Sequence, residues 1–230
     1  MDLDIRNPII SRRSFLKVAG IVVIELGVGG CAVSPMSLRP ETPAPDALAS
    51  QGYLLVDTRM CQGCLSCMLA CSLVHEGRQD LSLARIQVLQ DPFEKYPYDI
   101  GIGQCRQCLS AACVGACATG ALHVDKDHGN VRLVDVAKCV GCQACVKACP
   151  YEPSRAIWNF EQRRAQKCDL CTVAPFWKEQ GGLGGKQACV TVCPVGAIKF
   201  TALMPVQKGD AGYEVNLRDK NWKKLGYPTD

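Results

Sequence analysis

Sixteen cysteines fall into four groups, and their spacing defines what this chain can do chemically. Group one is Cys61, Cys64, Cys67 and Cys71, and group two is Cys105, Cys108, Cys113 and Cys117. Group three is Cys139, Cys142, Cys145 and Cys149, and group four is Cys168, Cys171, Cys189 and Cys193. Groups one and three read C-x2-C-x2-C-x3-C, while groups two and four widen the middle gap. Two thiolates separated by two residues lie on one side of a tight loop, and a third completes a cradle for three corners of an iron–sulfur cubane. The fourth sits in the following turn and reaches a neighbouring cluster, the crossed pattern of two-cluster bacterial ferredoxins. All sixteen positions are Cys, so four [4Fe–4S] clusters are expected rather than a [3Fe–4S] centre.

Local sequence repeats with the ligands. Cys61-Gln62-Gly63-Cys64 matches Cys139-Val140-Gly141-Cys142, and Gly120-Ala121-Leu122 matches Gly196-Ala197-Ile198. Gly63 and Gly141 permit a left-handed backbone beside the metal. Pro150 and Pro194 follow the fourth cysteine of groups three and four and shape the exit turn; Ser72 and Ala118 stand there in groups one and two.

Two other chemistries use many cysteines. Structural zinc takes four ligands per ion, commonly as two separated pairs, and three-cysteine runs with a displaced fourth fit it poorly. A disulfide framework suits a small exported chain, but the export signal described below argues against it. The three histidines, His75, His123 and His128, read as surface residues near turns and not as ligands. No nucleophile–base pair or phosphate loop stands out, so no catalytic residue is assigned and the chemical step is expected in another subunit.

Composition agrees with a metal-filled interior. Seventeen cysteines and only 6% aromatics in 230 residues leave little for a core built on large rings. The formal charge of +4 counts neutral thiols; sixteen metal-bound thiolates on four cubane cores turn the balance acidic. With no basic cluster interleaved with aromatics, nucleic acid is excluded as a partner. No apolar run is long enough for an ordinary membrane-spanning helix.

The elements that hold these loops are short. Tyr53 to Asp57 reads as a strand entering group one, and Ala84 to Leu89 alternates like another. Ala121 to Val124 and Asn130 to Val134 flank a hairpin turn. Cys113 to Cys117 and Gln143 to Ala148 suit one or two helical turns. The fold class is α+β: two interleaved bacterial dicluster ferredoxin-like modules with insertions, each interrupting or enclosing the other.

Residues 1–31 form a targeting segment. Ser11-Arg12-Arg13-Ser14-Phe15-Leu16-Lys17 resembles the twin-arginine export motif, followed by an apolar stretch. That route carries folded cargo, so thiolate sites can be filled before export. Val28-Gly29-Gly30-Cys31 resembles a lipoprotein box; lipidation of Cys31, ordinary cleavage nearby and an uncleaved segment all remain open. Residues 32–52, rich in Pro, Ala and Ser, read as a linker. Residues 204–230 form a tail whose Trp222 and Tyr227 either dock on a partner or pack on their own domain.

Over residues 53–203 the chain resembles the four-cluster iron–sulfur subunits of molybdenum and tungsten oxidoreductases, of the dimethyl sulfoxide reductase and formate dehydrogenase type. The four groups in order, the long insertion in group four and Gln166-Lys167-Cys168-Asp169-Leu170-Cys171 carry that likeness. The resemblance implies that groups one and four build one module and groups two and three the other. It implies cluster 1 on Cys61, Cys64, Cys67 and Cys193, and cluster 2 on Cys105, Cys108, Cys113 and Cys149. Cluster 3 is then on Cys139, Cys142, Cys145 and Cys117, and cluster 4 on Cys168, Cys171, Cys189 and Cys71. The implied role is a non-catalytic electron-transfer subunit, on the periplasmic side of the membrane. Its expected partners are a molybdenum- or tungsten-pterin catalytic subunit and a membrane quinone-reactive subunit; a free exported polyferredoxin is the alternative. Lys147, Lys167 and Arg106 are cations placed to act on a cluster, although each also reads as an exposed charge.

Overall fold

The computed structural model of the chain describes residues 48–178, 181–206, 213 and 224. Arg12, Arg13, Cys31, most of the linker, and Trp222 and Tyr227 lie outside the described residues. No helix of the described residues is long and apolar enough to cross a membrane.

Among the described residues, four two-stranded antiparallel sheets and four short helices alternate along the chain. The strand β1 (Tyr53–Val56) consists of four buried residues and pairs with the last strand, β8 (Ile198–Thr201), with Tyr53 opposite Thr201 and Val56 opposite Ile198. Within that outer pair lie three local hairpins: β2 (Gln87–Gln90) with β3 (Ile100–Gly103), β4 (Leu122–Asp125) with β5 (Val131–Val134), and β6 (Ala156–Asn159) with β7 (Arg164–Lys167). Each cysteine group occupies a junction between sheets. The order is β1, group one, β2–β3, group two, β4–β5, group three, β6–β7, group four, β8.

Helix α1 (Ser66–Glu76) carries Cys67 and Cys71 of group one and is the longest among the described residues. Its buried residues Cys67, Met68, Cys71, Val74 and His75 recur at helical spacing, so one face carries both ligands and core. It stops at Gly77, whose φ of 70° is left-handed and whose N–H bonds the Leu73 carbonyl at 2.9 Å. Helices α2 (Ala112–Gly115), α3 (Ala144–Ala148) and α4 (Ala188–Thr191) each carry the third cysteine of a group. Helix α1 packs on α4, and α2 packs on α3.

The core is built around thiols. Tyr53, Leu54, Leu55, Val56, Ile86, Leu170 and Ile198 cluster with Cys67, Cys71, Cys105, Cys168 and Cys189. A smaller cluster joins Leu122, Ala156 and Ala165 to Cys113 and Cys145. Tyr213 is also buried here: its ring meets Tyr53 edge-on at 5.6 Å and its hydroxyl donates to the Leu54 carbonyl at 2.7 Å.

Two expectations shift. The strand read from Ala84 begins only at Gln87. A 3-10 turn, Leu81–Leu83, capped by Asp80, runs up to Ala84, and the Arg85 N–H bonds a sulfur instead of a neighbouring strand. The β6–β7 hairpin carries no simple alternation and was not expected from the sequence.

Candidate metal centres

The four cysteine loops share a backbone conformation. The residue before the second cysteine has positive φ in every group: Gly63 (66°), Gln107 (45°), Gly141 (75°) and Leu170 (55°). Leu65 and Gln143, just after the second cysteine of groups one and three, are also left-handed at 60°. Such a backbone is strained for residues other than glycine. The fold therefore imposes one turn on four different sequences, with glycine at only two of the positions where the turn requires it.

The fourth cysteines share a second feature. Each accepts one backbone N–H at sulfur: Cys71 from Arg85 at 3.4 Å, Cys117 from Leu122 at 3.2 Å, Cys149 from Arg155 at 3.2 Å and Cys193 from Ala197 at 3.2 Å. In groups two and four the matching Gly-Ala-Leu and Gly-Ala-Ile turns present these donors, with Gly120 and Gly196 left-handed at 65° and 62°. Hydrogen bonds to ligand sulfur stabilise the anionic thiolate and tune a bound cluster.

Burial and neighbouring thiolates raise the buried thiols together. Burial pushes the Cys67 thiol up to about 12, and the Cys61, Cys193 and Cys64 thiolates press in the same direction. Burial pushes Cys145 up to about 11, with Cys113, Cys117 and Cys139 adding to it. Cys113 is raised by burial and by Cys105 and Cys149. Cys189 is raised by burial and by Cys171, Cys71, Cys168 and Cys67. Cys193 thus acts on Cys67 of group one, Cys71 on Cys189 of group four, Cys149 on Cys113 of group two and Cys117 on Cys145 of group three. The only cysteine outside the described residues is Cys31, and the sixteen described cysteines form no disulfide.

These thiols suit a multi-iron core. Among the described residues no three of His, Cys, Asp and Glu approach closely enough to hold a single metal ion; a cubane spreads its four thiolates wider. Buried thiols raised this far stay protonated at neutral pH until a cationic core displaces the protons. Buried guanidinium nitrogens without a protein acceptor, at Arg85 Nε, Arg106 Nε, Arg132 Nε, and Arg155 Nε and Nη1, leave donors free for a bound group.

His75 corrects the surface reading of the histidines, being 7% exposed on the inner face of α1. Its Nδ1 donates to the Cys71 carbonyl at 2.8 Å and its Nε2 to Asp169 Oδ1 at 2.9 Å. Both acceptors lack protons to donate, so both ring nitrogens carry one. Burial alone would lower its pKa; the hydrogen bonds to Asp169 and Cys71 outweigh it and raise it to about 9. Asp169, fully buried, also pairs with Arg85 Nη1 at 3.2 Å and accepts the Cys171 N–H at 3.0 Å. His75 follows Cys71 by four positions, one helical turn, which is the signal that could have placed it. His123 and His128 are partly exposed or exposed, as expected, and His128 bonds Asp125 at 2.7 Å.

The three candidate cations separate. Lys147 is exposed. Lys167 is 5% exposed; burial opposes its charge, and the Cys105 and Cys113 thiolates overcome that and raise its pKa. Arg106 lies over the Tyr151 ring at 4.2 Å and donates to the Tyr213 carbonyl.

Residues 98–203 match the family described as the 4Fe-4S dicluster domain. The Protein NrfC homolog of Haemophilus influenzae is 32% identical over 83% of this chain and 79% of its own length. Protein NrfC of Escherichia coli is 34% identical over 83% of this chain and 79% of its own. The thiosulfate reductase electron transfer subunit PhsB of Salmonella typhi is 31% identical over 68% of this chain and 78% of its own. Twelve of the sixteen cysteines lie inside the dicluster match, and likenesses of 31–34% along most of these relatives show that this chain belongs to the NrfC/PhsB family of iron–sulfur electron-transfer subunits.

Proposed function

We propose that this chain carries four [4Fe–4S] clusters and relays single electrons between a molybdenum- or tungsten-pterin catalytic subunit and a membrane or soluble redox partner. The thiol neighbourhoods carry the reading. They support cluster 1 on Cys61, Cys64, Cys67 and Cys193, cluster 2 on Cys105, Cys108, Cys113 and Cys149, cluster 3 on Cys139, Cys142, Cys145 and Cys117, and cluster 4 on Cys168, Cys171, Cys189 and Cys71. They also support a linear order of 1, 4, 2, 3. Cys67 acts on Cys189, Cys105 acts on Cys168, and Cys113 acts on Cys145. Gln107 Nε2 donates to the Cys168 carbonyl at 2.9 Å, tying group two to group four. Cys64 and Cys142, in the two terminal sets, are exposed, whereas the cysteines of cluster 4 are all buried. An electron would enter and leave at the exposed ends and pass through the interior.

When bound, each cluster takes up or releases one electron with little movement of its ligands. The residues of this chain hold the thiolates, shield them from water, and supply N–H groups and charges that set how readily each centre is reduced. PhsB is, by its own description, the electron transfer subunit of thiosulfate reductase; the same division of labour is our reading here. The twin-arginine segment with Arg12 and Arg13 would deliver the loaded protein to the periplasmic side, with Cys31 as a lipid anchor there.

Anaerobic purification from the native host, with iron, sulfide and zinc analysis and identification of co-purifying chains, tests this. About 16 iron per chain beside a large pterin-metal subunit is expected. Full iron with no partner would favour a free carrier, and zinc without sulfide would overturn the reading.

A further inference from the structure

The charges around the four ligand sets differ sharply. Cluster 2 is surrounded by four cations from four parts of the chain. Lys167, from the end of β7, is 5% exposed, and the Cys105, Cys113 and Cys149 thiolates hold its charge against burial. Arg132, on β5, is fully buried, and its backbone N–H bonds Gln107 Oε1 at 2.8 Å inside the group-two loop. Burial lowers its pKa, the Cys105, Cys108 and Cys113 thiolates work against that, and its Nε has no acceptor in the protein. Arg155 donates its backbone N–H to Cys149 and keeps Nε and Nη1 buried and unpartnered. Arg106 lies against Tyr151, whose hydroxyl is 4.0 Å from Cys108 sulfur.

The other sets lack this imbalance. Beside cluster 4, Arg85 Nε is also buried without an acceptor, but His75 and Arg85 are offset by Asp169 and Glu76, with Asp169 in contact with both cations and Glu76 3.7 Å from Arg85. At Cys67 and Cys145, in clusters 1 and 3, the strongest acting charges are other thiolates. The backbone N–H to sulfur does not discriminate, because each set receives one through its fourth cysteine.

We propose that Arg106, Arg132, Arg155 and Lys167 form a cationic cage that makes the cluster on Cys105, Cys108, Cys113 and Cys149 the highest-potential of the four, so that the first electron entering the chain rests there. The inference rests on the four-cluster reading above. A cluster with four thiolates is anionic in both states and gains one negative charge on reduction, with no bond made or broken. Nearby cations therefore stabilise the reduced form more than the oxidised form. The effect is strong where water cannot screen it, and Lys167 and Arg132 are the two cations most completely buried. The unpartnered guanidinium nitrogens would donate to cluster sulfur, whose basicity rises on reduction. Placed third in the line, such a centre holds an electron inside the subunit until the terminal partner is ready to take it.

The test is an anaerobic redox titration of the loaded full chain, followed by electron paramagnetic resonance. Iron and sulfide content is measured first, and fewer than four clusters in the wild-type protein would sink the cluster reading rather than the cage. With four present, the first signal to appear on reduction is expected to be the one that Cys149→Ser alters. Lys167→Met is expected to lower that midpoint alone, below at least one of the other three, while Lys167→Arg retains it. The inference is overturned if Cys149→Ser leaves the first signal unchanged. It is equally overturned if Lys167→Met shifts no midpoint or a different one, or if Lys167→Arg lowers the midpoint as far as Lys167→Met. Should Lys167→Met fail to accumulate, the wild-type and Cys149→Ser titrations decide by themselves.

Discussion

His75 Nε2 donates to Asp169 Oδ1 at 2.9 Å, joining the group-one helix to the group-four loop through a pair with side chains only 2% and 0% exposed. Removing one partner from such a pair leaves an uncompensated buried charge. Asp169→Ala is therefore expected to destabilise the loaded protein by about 3–5 kcal/mol. Denaturant unfolding under anaerobic conditions measures it. A loss below about 1 kcal/mol, the range of exposed pairs, would show that His75 and Arg85 find other partners.

The crossed ligands give a sharper signature. Cys71 lies in group one, yet it acts on Cys189. Cys71→Ser is expected to alter the signal of the cluster held by Cys168, Cys171 and Cys189. Cys193→Ser is expected to alter the one held by Cys61, Cys64 and Cys67. Finding both substitutions on the cluster of their own group would refute the pairing.

Gly63 and Gly141 occupy matching turns, but their surroundings differ. A Cβ at Gly141 would stand 2.5 Å from the Arg163 carbonyl, which is backbone and cannot step aside. A Cβ at Gly63 would clash with the Gln90 side-chain amide, which can swing away, and would touch Ile100 Cδ1 at an ordinary 3.5 Å. Both alanine variants incur the left-handed penalty of about 1–2 kcal/mol. Gly141→Ala is expected to lose clearly more than that in the same unfolding assay, and equal losses would contradict the packing described for β6–β7.

Tyr213 seals the core over β1. Tyr213→Ala should cost about 3–5 kcal/mol, as for other large aromatic truncations. Tyr213→Phe removes one hydrogen bond to Leu54, whose carbonyl also accepts Gln104 Nε2 at 3.1 Å, and should cost about 0.5–1.5 kcal/mol. Thermal unfolding of the two loaded variants checks the ratio.

Filling the sites should acidify the solution. Burial raises Cys67 and Cys171 to about 12 and Cys145 to about 11, so these thiols are protonated at neutral pH. Metal binds the thiolate, so loading releases protons and weakens as pH falls. Reconstitution of the apo chain with iron and sulfide in weak buffer, followed with a pH electrode, is expected to show a drop in pH. A flat trace would show that the thiols are not the ligands.

The sequence made the ligands legible because cubane chemistry constrains spacing so tightly. Gly63 and Gly141 announced the left-handed turns; Gln107 and Leu170 adopt the same turn without announcing it. Strands with two flanking turns, such as β4 and β5, could be read directly. Strand β8 could not be matched to β1 by periodicity, since their pairing is long-range. The charge environment was the least visible layer. Lys167 and Arg132 look like ordinary surface residues until the fold buries them beside thiolates. His75 shows the same effect on a helix whose inner face is set by tertiary packing.

The pairing of Tyr53 with Thr201 also sets a schedule for biosynthesis. The β4–β5 and β6–β7 hairpins and the helices of groups two and three are complete on a nascent chain that has not yet produced group four. Strand β1, made early, waits for β8 until nearly all the described chain has left the ribosome. On the proposed pairing, Cys71 likewise waits for Cys168, Cys171 and Cys189. The inner hairpins can pair during translation, whereas the outer pair closes only once β8 has emerged, so the two parts of the core are completed at different times in the life of the chain.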